Sequence, residues 1–246
     1  MRKVAMAVII AAAPAFAGFG SVVSSFYKED EIESRGLAWA GGRLVTSNMC
    51  SYGDKKWRIY TAAGSLVRKF DGPEKYNAHI GAEYDGSRFW TGSCMEERVY
   101  RFTSSGSVVS SFNADWPCGV AWDGQYIWWV SYWSAQFYKC KPLGSVVSSW
   151  RVNQITEAGD LAWDGIYLWC ADIGSDRVYR LTTNGSVSRS FKAPGTETYG
   201  CAFDGKYLWL SDTVGEDATT FFKVDIAYSG PAVAPASVGR VRALFR

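Results

Sequence analysis

Between residues 36 and 228 the chain alternates apolar and polar positions in short runs, as in RVYRL at 177–181 and SVVSSF at 107–112. Period-two alternation of β-branched and aromatic residues predicts half-buried strands. The runs are punctuated by Asp85-Gly86, Asp123-Gly124, Asp164-Gly165 and Asp204-Gly205, and by a glycine ahead of each SVVSSF-like phrase. Such pairs supply the positive-φ positions of tight hairpin turns. The pattern is therefore one of strands joined by hairpins.

The runs also repeat. GSVVSSF occupies residues 20–26 and returns letter for letter at 106–112, with the variants GSLVRKF (64–70), GSVVSSW (144–150) and GSVSRSF (185–191). Successive copies begin 38 to 44 residues apart. Ahead of the later copies lie GLAWAGGRLV from 36, GAEYDGSRFW from 81, GVAWDGQYIW from 119 and DLAWDGIYLW from 160, and CAFDGKYLW follows from 201. Phrases such as RVYRFTSSG and VYRLTTNG stand between. One unit thus has four strands, A to D, and a period near 40 with four strands predicts a β-propeller blade.

The chain starts with a lone strand D and ends with an A, B and C that lack one. Residues 20–26 should then complete the last blade and close the ring, hiding the edges an open array would expose. The expected fold is all-β: a five-bladed propeller of four-stranded antiparallel blades at 36–70, 81–112, 119–150, 160–191 and 201–228. An open array, or a ring completed by a second chain, is the competing arrangement. Trp90, Trp128, Trp169 and Trp209 share one strand B column, and Trp39, Tyr84, Trp122, Trp163 and Phe203 one strand A column. Repetition in every blade assigns these columns to packing between blades.

Charge changes the picture once the first residues are set apart. Arg2 and Lys3 followed by VAMAVIIAAAPAFA read as a basic segment and a short apolar one, a secretory signal over 1–17, too short for a membrane span. A retained anchor is the competing reading. The propeller then occupies 18–229, with a tail at 230–246 that carries Pro231, Pro235, Arg240, Arg242 and Arg246. The net charge of +2 is carried by Arg2 and Lys3, so the mature chain is neutral. That gives no basic stripe for nucleic acid. The protein is expected outside the cytoplasm, secreted, periplasmic or at the cell surface, and monomeric. In that setting Cys94–Cys118 and Cys170–Cys201 are candidate disulfides, and Cys140 is a buried thiol.

On a repeat scaffold, candidate chemistry is sought where a residue breaks its column. Glu83 stands where Ala38, Ala121, Ala162 and Ala202 stand elsewhere, and Asp160 where Gly36, Gly81, Gly119 and Gly200 do. His79, the single histidine, precedes strand A of the second blade. These three are the candidate acids or bases. Asp160 and Glu83, with Glu157 and Asp115, could bring carboxylates to the channel mouth, where calcium is the one cofactor to consider; no cofactor is otherwise implied. Asp172 and Asp212 end strand B in a column of short polar residues suited to binding hairpin amides. The rim loops hold aromatics outside the packing columns: Trp57, Trp116, Tyr132, Trp133 and Tyr199, with Tyr52 and Tyr76. They form a candidate binding face for an extracellular glycan, peptide or protein.

Through GLAWDGxYLW-like, RVYRLT-like and GSVVSSF phrases, residues 20–228 resemble secreted bacterial β-propeller repeat proteins with NHL-like or YVTN-like blades. The resemblance implies a fold rather than an activity. Five blades are also shared with plant-type and some bacterial glutaminyl cyclases, and propellers include lyases and lactonases. Those activities are the enzymatic alternative to a binding module, which the residues favour because no catalytic triad, metal triad or phosphate loop is present.

Overall fold

The computed structural model describes residues 10–11, 18–29, 34–47, 56–73, 80–213 and 218–230. Two strands, β1 (Ile10–Ala11) and β2 (Ser21–Glu29), precede the first blade. Blade one is β3 (Leu37–Ala40), β4 (Arg43–Thr46), β5 (Trp57–Thr61) and β6 (Leu66–Phe70). Blade two is β7 (Glu83–Tyr84), β8 (Phe89–Ser93), β9 (Arg98–Phe102) and β10 (Val108–Asn113). Blade three is β11 (Pro117–Trp122), β12 (Ile127–Ser131), β13 (Gln136–Cys140) and β14 (Val146–Arg151). Blade four is β15 (Ala158–Trp163), β16 (Leu168–Asp172), β17 (Arg177–Leu181) and β18 (Val187–Lys192). Blade five has β19 (Thr198–Phe203), β20 (Tyr207–Thr213) and β21 (Ala218–Asp225).

Blade five is completed by β2, which pairs antiparallel with β21 from Ser21 opposite Asp225 to Glu29 opposite Ala218. The ring is a closed five-bladed propeller of antiparallel blades, and β1 adds to the outer side of β2. Phe26 of the closing strand is buried and stacks on Phe221 at 4.8 Å. The first GSVVSSF phrase is therefore the latch. Most of the expected leader and the tail beyond Gly230 lie outside the described residues.

The Asp-Gly hairpins do more than turn the chain. Asp164 Oδ1 accepts the amides of Ile166 and Tyr167 at 2.8 and 2.7 Å, while its Oδ2 accepts Trp169 Nε1 at 2.8 Å. The same set forms at Asp85 with Trp90, Asp123 with Trp128 and Asp204 with Trp209. A strand C cation completes it: Arg101 pairs with Asp85 at 2.6 Å and Lys223 with Asp204 at 3.2 Å, each lying over the blade's indole. The aspartate thus satisfies two turn amides and the one polar atom of a buried tryptophan.

Three of the four fixed indoles then stack on an aromatic ring of the next blade. Trp90 lies on Trp122, Trp128 on Trp163 and, across the closure, Trp209 on Trp39, with centroids 5.9 to 6.4 Å apart and planes within 15°. Blade one departs from the pattern. Val45 replaces its tryptophan, and Trp57 of β5 enters the same cluster, 5.0 Å from Phe102 and 6.0 Å from Phe89. Trp57, expected on the rim, is instead fully buried core. Burying its ring stabilises the fold by about 1.5–3 kcal/mol.

Candidate functional site

The inner strands converge on the propeller axis, and glycines let them do so. A Cβ on Gly81 would meet the Cys118 carbonyl at 2.3 Å, and one on Gly119 the Gly159 carbonyl at 2.6 Å. Asp160 is the exception in this column, and its side chain fills the space the glycines leave. Oδ2 accepts the amides of Leu37 (2.8 Å) and Ala82 (3.3 Å), and Oδ1 those of Val120 (3.2 Å) and Leu161 (2.8 Å). One carboxylate therefore holds strands from blades one, two, three and four. Burial raises the Asp160 pKa, and these amides oppose it. Every donor is an N–H, so an acid proton would face no acceptor and the cage fits the ionised form. Asp160, expected as an acid or a calcium ligand, has its oxygens filled by backbone and serves as an axial clasp.

Glu83 is half-buried. Its Oε1 accepts the Tyr84 amide at 2.6 Å and its Oε2 the Trp122 amide of blade three at 3.1 Å. Burial pushes its pKa up to about 7, against the pull of those two amides. Glu83 lies two residues beyond the Asp160 level of strand A, about 7 Å toward the A–B hairpins. The two carboxyls therefore do not share one ligand. Among the described residues no group of three or more His, Cys, Asp or Glu is placed to hold a metal ion. His79, Tyr52 and Tyr76 lie outside the described residues.

The aromatic rim does assemble at the opposite level, where strands A begin and strands B end. Trp116, in the crossover from β10 to β11, and Trp133, in the hairpin after β12, meet edge to face at 6.4 Å. Tyr132 packs edge to face on Trp133 at 4.6 Å. Trp133 is 61% exposed and Trp116 38%, whereas Tyr132 is half-buried. Trp116 has a φ of 47°. That left-handed conformation costs a non-glycine residue about 1–2 kcal/mol. Its carbonyl accepts the Tyr132 amide at 3.0 Å, tying the two loops together.

Polar groups from three other blades reach the same mouth. Tyr132 donates to Glu157 at 3.4 Å, and the Arg35 guanidinium lies 4.3 Å from the centre of the Tyr199 ring. Burial pushes the Tyr132 phenol up, helped by Glu157 and Tyr199 and opposed by Arg35, so it is a neutral donor. Tyr199, expected to be an open rim aromatic, is buried beneath that cation. Arg35 is the member of the mouth that the sequence did not single out, and Glu157, expected there as a carboxylate for calcium, pairs with Tyr132 instead.

Buried aspartates set these loops. Asp172 accepts the amides of Thr156 and Glu157 at 3.0 and 2.8 Å, and Asp212 that of Glu197 at 2.8 Å. Their short polar column thus serves the crossovers that carry Glu157 and Glu197. The candidate disulfides do not form: Cys118, Cys170 and Cys201 are buried free thiols, as is Cys140. Cys118 donates to the Ala158 carbonyl at 3.0 Å. Thiols so placed pack the inner ends of blades three to five rather than bridge them.

No protein-family model and no curated protein matches this sequence. Solved structures do match by shape. Glutaminyl cyclase from Myxococcus xanthus superposes with a TM-score of 0.66 at 12% identity, covering 83% of this chain and 95% of that one. A protein of unknown function from Bacteroides caccae gives 0.51 at 14% identity over 77% and 74%. Virginiamycin B lyase from Staphylococcus aureus gives 0.50 at 18% identity; 77% of this chain is covered, and it spans 65% of the lyase's length. At such identities the likeness is one of fold, and this chain is a five-bladed β-propeller similar in structure to those of the lyase and the glutaminyl cyclase.

Proposed function

We propose that this protein is an exported binding propeller whose channel-mouth rim receives an extracellular glycan, peptide or protein segment. The observation that carries this reading is the contact between two exposed indoles, Trp116 and Trp133, beside the paired Tyr132 and Glu157. An indole 61% exposed adds little to the core, and clustered exposed aromatics are a mark of recognition surfaces. A flat apolar group stacks on the indoles while Glu157 and Arg35 hold its polar flanks. Export follows the signal-like residues 1–17 and the resemblance of the repeat phrases to NHL-like and YVTN-like blades. The test is retention on arrays of extracellular glycans and peptides, wild type beside Trp133→Ala. A tenfold or greater loss supports the reading, and equal retention by both proteins sinks it.

A second reading is glutaminyl-peptide cyclisation, favoured by the overlap with 95% of the Myxococcus xanthus glutaminyl cyclase. In that reaction the α-amine of an N-terminal glutamine attacks its own side-chain carbonyl; a C–N bond forms, the carboxamide C–N bond breaks and ammonia leaves. Glu157 would carry the proton from the amine to the leaving nitrogen, with Tyr132 orienting it. Ammonia release from a glutaminyl peptide, lost in Glu157→Gln, supports this reading. No release leaves binding alone.

A further inference from the structure

The fourth strand of each blade is its outer edge, and the five copies of that strand are not equally defended. In β6 the phrase is GSLVRKF and in β18 GSVSRSF, so Arg68 and Lys69, and Arg189, stand in mid-edge. In β10 and β14 it is GSVVSSF and GSVVSSW, with Ser110-Ser111 and Ser148-Ser149 at those places and no charge between the glycine and the aromatic residue. Charged side chains on an edge strand keep other strands from pairing with it. Blades two and three lack that defence. They also present valines to solvent: Val108 is 47%, Val109 50%, Val146 58% and Val147 49% exposed.

The third uncharged copy is β2, and its edge is taken. Strand β1 adds to it antiparallel, with Ile10 opposite Ser25 and Ala11 opposite Ser24. Ser24 and Ser25 are the counterparts of Ser110 and Ser111 and of Ser148 and Ser149. One phrase in one structural position is thus filled in blade five and open in blades two and three, where β10 and β14 end their sheets.

We propose that the outer edges of β10 and β14 are strand-addition sites for an extended, uncharged peptide segment rich in alanine, valine and isoleucine, joining antiparallel as β1 joins β2. The segment's chemistry follows from the sequence around β1, VAMAVIIAAA at 4–13, and from the edge itself. Main-chain N–H and C=O groups fix the register, and consecutive valines, which point to opposite faces, give apolar contact on both sides. Blade one combines exposed apolar residues with charge. Leu66 and Val67 are 44% and 38% exposed, yet Arg68 and Lys69 follow them directly.

The test titrates the full-length chain with a labelled VAMAVIIAAA peptide, flanked by lysines for solubility, and follows anisotropy and stoichiometry. Saturable binding of two peptides per full-length chain is expected, and of three on a chain begun at Gly18, which lacks β1, with a tenfold or greater loss when alternate peptide amides are N-methylated. Ser110→Arg with Ser148→Arg, copying Arg68 and Arg189, should weaken uptake at least tenfold without moving the melting temperature. Arg68→Ser with Lys69→Ser should open a third site. Equal binding of the methylated peptide, indifference to the arginines, or no saturable uptake overturns the proposal. Self-association through these edges without peptide uptake also overturns it, because the occupant would then be a second copy of the chain.

Discussion

The two ends of the ring are built on opposite rules. At the A–B hairpins one arrangement repeats: Asp85, Asp123, Asp164 and Asp204 each close a turn and hold an indole. At the channel mouth Asp172 and Asp212 repeat one loop contact, but the side chains that meet across the mouth do not repeat. Asp160 clasps four blades from one, Tyr132 reaches Glu157, and Arg35 covers Tyr199. Each blade must bury the same face against its neighbour, so packing is written as repetition. A residue without counterparts serves the whole ring or something outside it.

The sharpest way to break this comparison is to remove a group of each kind. Asp160→Ala leaves three amides from other blades, and Leu161's own, without an acceptor at the axis. We expect about 3–5 kcal/mol of lost stability, measured by denaturant unfolding. Asp164→Ala removes one of four equivalent hairpin supports and should cost about 1–3 kcal/mol. If the repeated group cost more than the single one, the contrast between the two ends would be inverted.

Glu83 tests the same contrast through pH. Its pKa rises from an ordinary 4.5 to about 7 in the folded protein, chiefly by burial. The folded state therefore holds the proton more tightly, and stability falls as pH rises from 4.5 to 7, then levels off. Glu83→Gln lacks that slope. Relative to wild type it should gain about 1–3 kcal/mol between pH 5 and pH 8, read from melts at both values. A constant difference would show that the shift is absent. Trp133→Ala gives the smallest effect, a stability change within about 0.5 kcal/mol, because the indole is 61% exposed. A larger loss would place Trp133 in the packing and remove it from the binding face.

The repeat was legible because hairpins and blade interfaces are local and recurrent. The GSVVSSF copies and the Asp-Gly column mark the 20 strands of the ring, the closing one included. The same column hid the Asp164–Trp169 bond, since two residues five apart show their spacing and not the direction of their side chains. Trp57 was misplaced for a related reason. It stands in the strand C column of Val99, Phe137, Val178 and Phe221, each opposite a strand D aromatic, and a column of such mixed residue types does not announce itself as core in the sequence. Trp116, Tyr132 and Trp133 were found together because one short stretch of blade three carries them. Arg35 and Glu157 joined them from 81 and 41 residues away from Trp116.

By itself the sequence determined the strands, their order, the number of blades and the closure by residues 20–26, because period, turn chemistry and alternation are properties of neighbouring residues. Only the tertiary structure decided what Asp160 does. Its sequence position announces a carboxylate among glycines, and nothing in the chain says whether amides, a cation or a substrate will meet it. Closing the ring brought Leu37, Ala82 and Val120 to that carboxylate from as far as 123 residues away and filled both its oxygens. The mouth was left to Trp116 and Trp133, exposed indoles that blade three alone supplies, with Glu157 beside them.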